Sequence, residues 1–336
     1  MAFDKRRALS VPYDLPLAQH PALAREMAAL GYRDAWSYEV DGSDVFTPLV
    51  LVATATEMRV GTAIANVYTR GPATLALQAA ALSEVAPGRF VLGIGSGSQP
   101  IVEAWNDIPF RRPATRVREM VQFLRQALSG ERVVFDGTTF KVDGFRLSRP
   151  VAELPPIHVG ALREGMLRVA GEVADGVCIN WLSAEDVKRS VAVVRDAARA
   201  AGRNPASIEV TARLMVSIDP PGLAEGDLVR RRQIAAYFNV PVYKQFHTWL
   251  GRGEALAAMW EAWDAGQRRE AVAAIPASVV DEVIIHGTPE ERWQHIERYL
   301  EAGVDTAFLS FMTAERDPAA RAARVRQALV ELAPRR

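Results

Sequence analysis

Short apolar or β-branched runs alternate with longer helix-patterned runs along the whole chain, the order that a parallel sheet built from βα units requires. Runs at 8–11, 34–37, 58–65, 89–94, 156–160, 176–180, 208–218 and 306–311 read as strands. Pro21 opens a helix whose Leu23, Met27 and Leu30 share one face before Gly31 ends it. Further helical patterns cover 46–57, 72–85, 113–128, 164–173, 184–201 and 289–302, the last closed by Gly303. Eight strands with helices between them predict an α/β fold of the (β/α)8 TIM-barrel type rather than an open sheet.

Two stretches interrupt the alternation. Residues 130–155, with Asp136-Gly137, Asp143-Gly144 and Pro150, read as a hairpin-like insertion after the fourth strand and its helix. Residues 219–288 follow the seventh strand, opening with the turn Asp219-Pro220-Pro221-Gly222 and continuing in aromatic-rich helical patterns. An insertion at a strand's carboxyl end borders the barrel mouth, so the second one is expected to be a lid or a subunit contact. With no internal repeat or low-complexity linker, the 336 residues are expected to form one domain, 1–336.

Hydrophobic residues make up 49% of the chain, enough for a large core, and the 40 Lys+Arg balance the 40 Asp+Glu. No global field therefore recruits nucleic acid or an anionic membrane, and an anionic ligand needs a local site. The single cysteine, Cys178, cannot form an intrachain disulfide, and no Cys/His spacing suggests a metal site. That composition fits a reducing cytoplasm. The basic amino-terminal residues precede no signal-peptide core, and no apolar run approaches the roughly 20 residues a membrane helix needs.

In the segment 89–98 a strand runs into a loop with glycines at 93, 95 and 97, which lets backbone N–H groups approach a phosphate. The spacing and the missing following acid exclude a Rossmann fingerprint; a plain barrel turn is the other reading. The segment 61–72 ends a strand in small and polar residues before Pro72 starts a helix.

These two segments, together with Ala35-Trp36-Ser37-Tyr38-Glu39, Phe46-Thr47-Pro48, Ala174-Asp175-Gly176-Val177-Cys178-Ile179, Gly287-Thr288-Pro289-Glu290-Glu291 and Ala302-Gly303-Val304-Asp305-Thr306, resemble the luciferase-like flavin and deazaflavin oxidoreductases. The resemblance spans nearly the whole chain and is strongest to members that use the deazaflavin coenzyme F-420. It implies a cofactor ring at the carboxyl ends of the strands, one face against a bulge on the third strand with a non-prolyl cis peptide at Ala63-Ile64. It places the cofactor phosphate at Ser96, Gly97 and Ser98, joined by Gly160, Ala161 and Leu162. Asn66 and Tyr68 would then bond the ring's carbonyl edge or the ribityl chain, or else cap the helix after Pro72.

Several side chains carry two readings. Glu39, just past the second strand, is a catalytic proton-handling group or a solvated loop residue. Trp181 walls the ring pocket or packs in the core. His158, inside a strand, is expected to be a barrel histidine. Arg70, Arg112 and Arg118 hold the coenzyme's acidic tail or pair with Glu103 and Glu119. The aromatics at Tyr237, Phe238, Tyr243, Phe246 and Trp249 are expected in packing or dimer contacts.

The function implied is hydride transfer between coenzyme F-420 and a small organic substrate, by a homodimer. Two alternatives stay open: an FMN-dependent monooxygenase fed by a partner flavin reductase, and a noncatalytic barrel subunit.

Overall fold

The structure, a computed structural model, describes residues 3–11 and 15–335; Met1, Ala2, Pro12, Tyr13, Asp14 and Arg336, which the expected domain 1–336 includes, lie outside it. In chain order the strands are β1 (Arg6–Val11), β2 (Asp34–Ser37), β3 (Arg59–Thr62), β4 (Ala65–Asn66), β5 (Phe90–Gly95), β6 (Val133–Asp136), β7 (Lys141–Phe145), β8 (Ile157–Gly160), β9 (Gly176–Asn180), β10 (Glu209–Ser217), β11 (Ile284–Ile285) and β12 (Thr306–Met312). The first six helices are α1 (His20–Ala29), α2 (Thr47–Ala55), α3 (Pro72–Val85), α4 (Pro113–Leu128), α5 (Glu164–Val173) and α6 (Ala184–Ala200). After β10 come α7 (Ala224–Phe238), α8 (Pro241–Trp249), α9 (Ala257–Asp264), α10 (Arg268–Ala273) and α11 (Ala277–Val283), then α12 (Pro289–Glu301) and α13 (Pro318–Glu331).

The parallel sheet runs β10-β12-β1-β2-β3-β5-β8-β9 and closes on itself through the β9–β10 pairing, giving the predicted eight-stranded barrel. The strand expected at 58–65 is broken: β3 and β4 flank a cis peptide at Ala63-Ile64, and both pair with β5. The insertion after α4 is the antiparallel hairpin β6–β7, fastened to α4 because the Glu119 carboxylate accepts the backbone N–H groups of Thr138 and Thr139. The second insertion supplies α7 to α11, with a core of its own in which Ile234, Phe238, Met259 and Val280 pack against Trp181, Met215 and Met312. The last helix, α13, is bonded to the start of the chain, where the Tyr32 hydroxyl donates to the Leu329 carbonyl, and was not foreseen in the sequence. No helix among the described residues is long and apolar enough to cross a membrane.

Outside the barrel, helix starts follow local chemistry. Ser183 and Asp186 form a capping box at α6, and Thr288 and Glu291 form another at α12, each satisfying backbone donors that a helix leaves open. On α4, Val117, Met120, Val121 and Leu124 recur at helical spacing and bury one face against the sheet.

Inside the barrel the period of two along each strand sorts side chains into layers. The middle layer holds Ala8, Trp36, Val91, Cys178 and Phe308, with Trp36 stacked on Phe308 at 5.5 Å between centroids. A Cβ at Gly61 would lie 2.5 Å from the Trp36 ring, so glycine there is what lets β3 pass the indole. Below sits a polar floor. Arg59 donates to Asp34, makes two bonds to the Glu209 carboxylate at 2.9 and 2.7 Å, and reaches the Thr306 hydroxyl at 2.8 Å. His158, fully buried as the sequence led us to expect, stands 3.6 Å from Glu209 and 3.3 Å from the Thr211 hydroxyl.

Although burial opposes it, Arg59 and its neighbours hold the Glu209 carboxyl down at about 2. Burial lowers His158 to about 4 and, on α8 inside the insertion, His247 to about 2. Both kinds of shift have the same sign for stability. Glu209 contributes fully above its ordinary 4.5 and loses that contribution as pH falls toward 2. A histidine that must stay neutral in the fold contributes fully above 6.5 and loses it as pH falls toward its folded value. The melting temperature should therefore decline as pH falls from 6.5 to 4, and a flat profile over that window would contradict the neutral buried histidines. Arg59→Met leaves two buried carboxylates without their cation and should cost about 3–5 kcal/mol in urea unfolding.

Candidate active site

The carboxyl ends of the eight barrel strands open on one face, and the inward positions above the Trp36 layer form its floor. The side around β3, β4, β5 and β8 is lined by backbone. Ile64, on the bulge, lies over two glycines: a Cβ at Gly95 would sit 2.9 Å from its Cγ1, and one at Gly160 2.8 Å from its Cγ2. At Gly93 the same atom would fall 1.9 Å from the Thr62 carbonyl oxygen. The glycines read in the sequence as a phosphate loop thus first serve to bring β5 and β8 flush against the bulge. Ala63 and Ile64 are half-buried and close the middle layer from above.

Beyond β5, Gly97 takes a left-handed φ of +64°, and a Cβ there would be 2.3 Å from Asn66 Nδ2. The loop therefore folds down onto Asn66, which uses its Oδ1 to accept the Tyr68 N–H at 2.8 Å. Asn66 caps this turn rather than the helix α3. Ser96, Gly97 and Ser98 stay half-buried at the mouth, with the Ser96 hydroxyl bonded to the Gly97 carbonyl at 3.2 Å. Across β8, the Ala161 N–H is bonded to the Cys178 carbonyl at 2.9 Å and is not available as an anion donor. Leu162 and the first turn of α5 keep the N–H groups that a helix start leaves open.

Tyr68 is buried, its hydroxyl donating to the Arg111 carbonyl at 2.6 Å and its ring under the Arg116 guanidinium at 4.7 Å. Trp181 is 1% exposed with a left-handed φ of +54°, wedged against Tyr237 and Phe238. It belongs to the core of the insertion and presents no open face to the mouth. Glu39 does stand at the mouth, but both its oxygens accept from Arg70, at 2.5 and 2.6 Å. Each oxygen keeps a second lone pair, so the pair leaves room for one further donor. Arg70 is thereby committed to Glu39 rather than to Glu103 or Glu119, and Arg118 pairs with Glu172. Cys178 lies in the middle layer, where burial pushes its thiol up and out of reach of solvent.

Sequence reading missed the opposite side of the mouth. On β10 the inward positions continue from Glu209 through Thr211 to Arg213, whose guanidinium lies 3.7 Å over the Tyr38 ring and donates to the Ser310 hydroxyl at 2.9 Å. Beside it, Asn180 donates to the Tyr243 hydroxyl at 3.3 Å, joining the top of β9 to helix α8 of the insertion. Burial pushes the Tyr243 phenol up to about 12, with Tyr237 adding to it and the Asn180 bond and the Arg213 charge opposing it. The signal available in the sequence was parity: 209, 211 and 213 share a strand face, and a lone arginine on that face must lie inside the barrel. Substituting Arg70 by Met should free Glu39 and cost about 1–3 kcal/mol of stability in thermal or urea unfolding, the penalty of a part-buried carboxylate losing its partner.

Comparison with known proteins agrees with this architecture. The chain is 29% identical over 272 residues to a 5,10-methylenetetrahydromethanopterin reductase of Archaeoglobus fulgidus, covering 78% of this chain and 79% of that one. It is 34% identical over 213 residues to the reductase of the same name from Methanolobus tindarius, spanning 62% of this chain and 64% of the relative's length. Among solved structures, the coenzyme F-420-dependent tetrahydromethanopterin reductase of Methanopyrus kandleri superposes with a TM-score of 0.80 at 22% identity, covering 98% of this chain and 97% of that one. An FMN complex of the oxygenating constituent of 3,6-diketocamphane monooxygenase from Pseudomonas putida superposes at 0.66 with 20% identity, covering 98% and 96%. The sequence pattern of the luciferase-like monooxygenases matches residues 2–306, and the chain belongs to that family.

Proposed function

We propose that the protein is an oxidoreductase that uses coenzyme F-420 to move a hydride to or from a small organic molecule held at the barrel mouth. The observation that carries this reading is the low apolar surface at the Ala63-Ile64 bulge, where the Ile64 side chain lies directly on two glycines. Because Gly95 and Gly160 have no Cβ, Ile64 sits down against β5 and β8, and the low surface this leaves suits a flat ring system. Ser96, Gly97 and Ser98, with Leu162 and the open start of α5, supply hydroxyl and N–H donors for a phosphate beside that surface. The Gly97 turn packs closely on Asn66, and Ala161 is tied to β9 by its bond to the Cys178 carbonyl.

The coenzyme, when bound, supplies the hydride chemistry; the chain supplies position, a dry floor and charge. The floor is the Trp36–Phe308 layer, which is fully buried and excludes water from below. The roof on one side is the insertion, fixed by the Asn180–Tyr243 bond and by its own packed core. Glu39, bonded at both oxygens, holds Arg70 at the mouth. Relatives that cover more than three-quarters of the chain bear the name of a reductase, which favours the deazaflavin over FMN. The chain acts as one unit, assembled as a cytoplasmic homodimer.

Titrating the purified protein with oxidised F-420 and, separately, with FMN, followed by fluorescence quenching, tests the reading. F-420 should bind in the micromolar range or tighter, about −8 kcal/mol, with FMN weaker. Preference for FMN would instead make the protein a flavin monooxygenase supplied by a partner reductase, and binding of neither would make it a noncatalytic barrel. Gly160→Ala, whose new methyl meets Ile64, should weaken F-420 binding about tenfold while the circular dichroism spectrum stays unchanged.

A further inference from the structure

The mouth has two unlike halves. Its β3–β4–β5–β8 side is the glycine-lined surface described above, whereas its β10–β12–β1–β2 side carries Arg213, Ser310, Ser10 and Tyr38 on four consecutive strands. All four turn inward by strand parity. Each lies two residues beyond an inward group of a lower layer: Thr211, Phe308, Ala8 and Trp36 respectively. β3 and β10 stand opposite each other, with β12, β1 and β2 between them one way round and β5, β8 and β9 the other. A molecule lying between the bulge and β10 therefore has the bulge on one side and Arg213 on the other.

Arg213 is 7% exposed, its Nε is buried without a partner, and no carboxylate among the described residues pairs with it. The effective cost of a buried, unpaired charge is several kcal/mol. Stacking on Tyr38 recovers part of it, and a guanidinium tolerates burial better than an ammonium does. The Ser10 hydroxyl, 1% exposed, also has no partner. Ser310 accepts from Arg213 and so has its own hydrogen free to donate onward. Arg70, by contrast, is paired with Glu39, and Arg230, which reaches Ser217 from α7, shares Asp227 with Arg231. Among the described residues the site thus offers a buried guanidinium with no carboxylate partner, and two hydroxyl donors.

We propose that Arg213, with Ser310 and Ser10, anchors a carboxylate of the substrate, so that the enzyme acts on small carboxylate-bearing molecules whose reacting carbon faces the bulge. One negative charge balances the site, whereas a phosphate dianion would leave a net negative charge buried. The stack on Tyr38 fixes the plane of the guanidinium, which suits the planar carboxylate. Assigning that carboxylate to the substrate rests on the hydride-transfer reading above; the anion site itself does not.

The test is calorimetric titration of the F-420-loaded and the free protein with acetate and benzoate, and with the neutral isosteres acetamide and benzamide. Wild type should bind a carboxylate and discriminate against its amide. Arg213→Met should lose about tenfold in carboxylate affinity and Ser310→Ala about threefold, with F-420 affinity unchanged in both. Arg213→Lys, which keeps the charge without the fork, should fall between wild type and Arg213→Met, and it serves if the methionine variant fails to fold. Equal carboxylate affinity in wild type and variants, or no carboxylate binding to wild type, overturns the proposal. So does a loss of F-420 affinity in Arg213→Met, which would give the guanidinium to the coenzyme. Carboxylate binding that depends on Arg213 in a protein that never takes up F-420 would sink the hydride-transfer reading and leave the anion site standing.

Discussion

The Arg59 guanidinium ties the amino-terminal ends of four strands together: it starts β3, bonds Asp34 at the start of β2, Glu209 at the start of β10 and Thr306 at the start of β12. β2 and β10 are not neighbours in the sheet, so this contact spans the barrel and sets which faces of the strands turn inward. Once that parity is set, every second residue above it is placed. The apolar Trp36 and Phe308 form the next layer, and the polar Arg213, Ser310, Ser10 and Tyr38 come out at the mouth. The cluster around Arg59 is answered by its own ion pairs, whereas Arg213 at the mouth has no carboxylate partner among the described residues. That contrast separates a structural charge cluster from a binding one, although both contain an arginine buried in the same barrel.

Glycine divides the labour at the mouth. At Gly61 it admits the Trp36 ring, at Gly93 the Thr62 carbonyl, and at Gly95 and Gly160 the Ile64 side chain. These are close approaches demanded by packing, and the flat surface they produce is a by-product that a planar cofactor can use. The positive φ at Gly97 is the one place where backbone conformation itself requires glycine in this loop, and it seats the turn on Asn66. The insertion after β10 then covers the other side with a packed aromatic core, so the mouth is roofed by rigid helices rather than by a loose loop.

Much of the fold was legible because its signals are local. Strand runs, proline helix starts, capping boxes and the period-two pattern act over a few residues, and the eight barrel strands fall where the runs predicted. The bulge position came from resemblance to a family, since nothing in the composition of Ala63 and Ile64 marks a break in the strand. The site was less legible. Trp181 follows a strand end, as a pocket wall would, yet it is drawn into the insertion by contacts with Tyr237 and Phe238 from more than fifty positions away. Glu39 and Arg70 each looked like candidate ligands until they were found bonded to each other.

The sequence by itself determined the barrel, its order of strands and helices, the two insertions and the glycine loop, because these depend on hydrophobic period and on residues with restricted backbone geometry. Only the tertiary structure decided which polar groups are spent and which are left over. Asp34, Arg59, Glu209 and Thr306 are bonded together because barrel closure brings together residues up to 272 positions apart, from Asp34 to Thr306. Arg213 is left over because closure sets Tyr38 and Ser310 against it and no carboxylate among the described residues. Pairing across a closed sheet is a long-range property, and no window of the chain contains it.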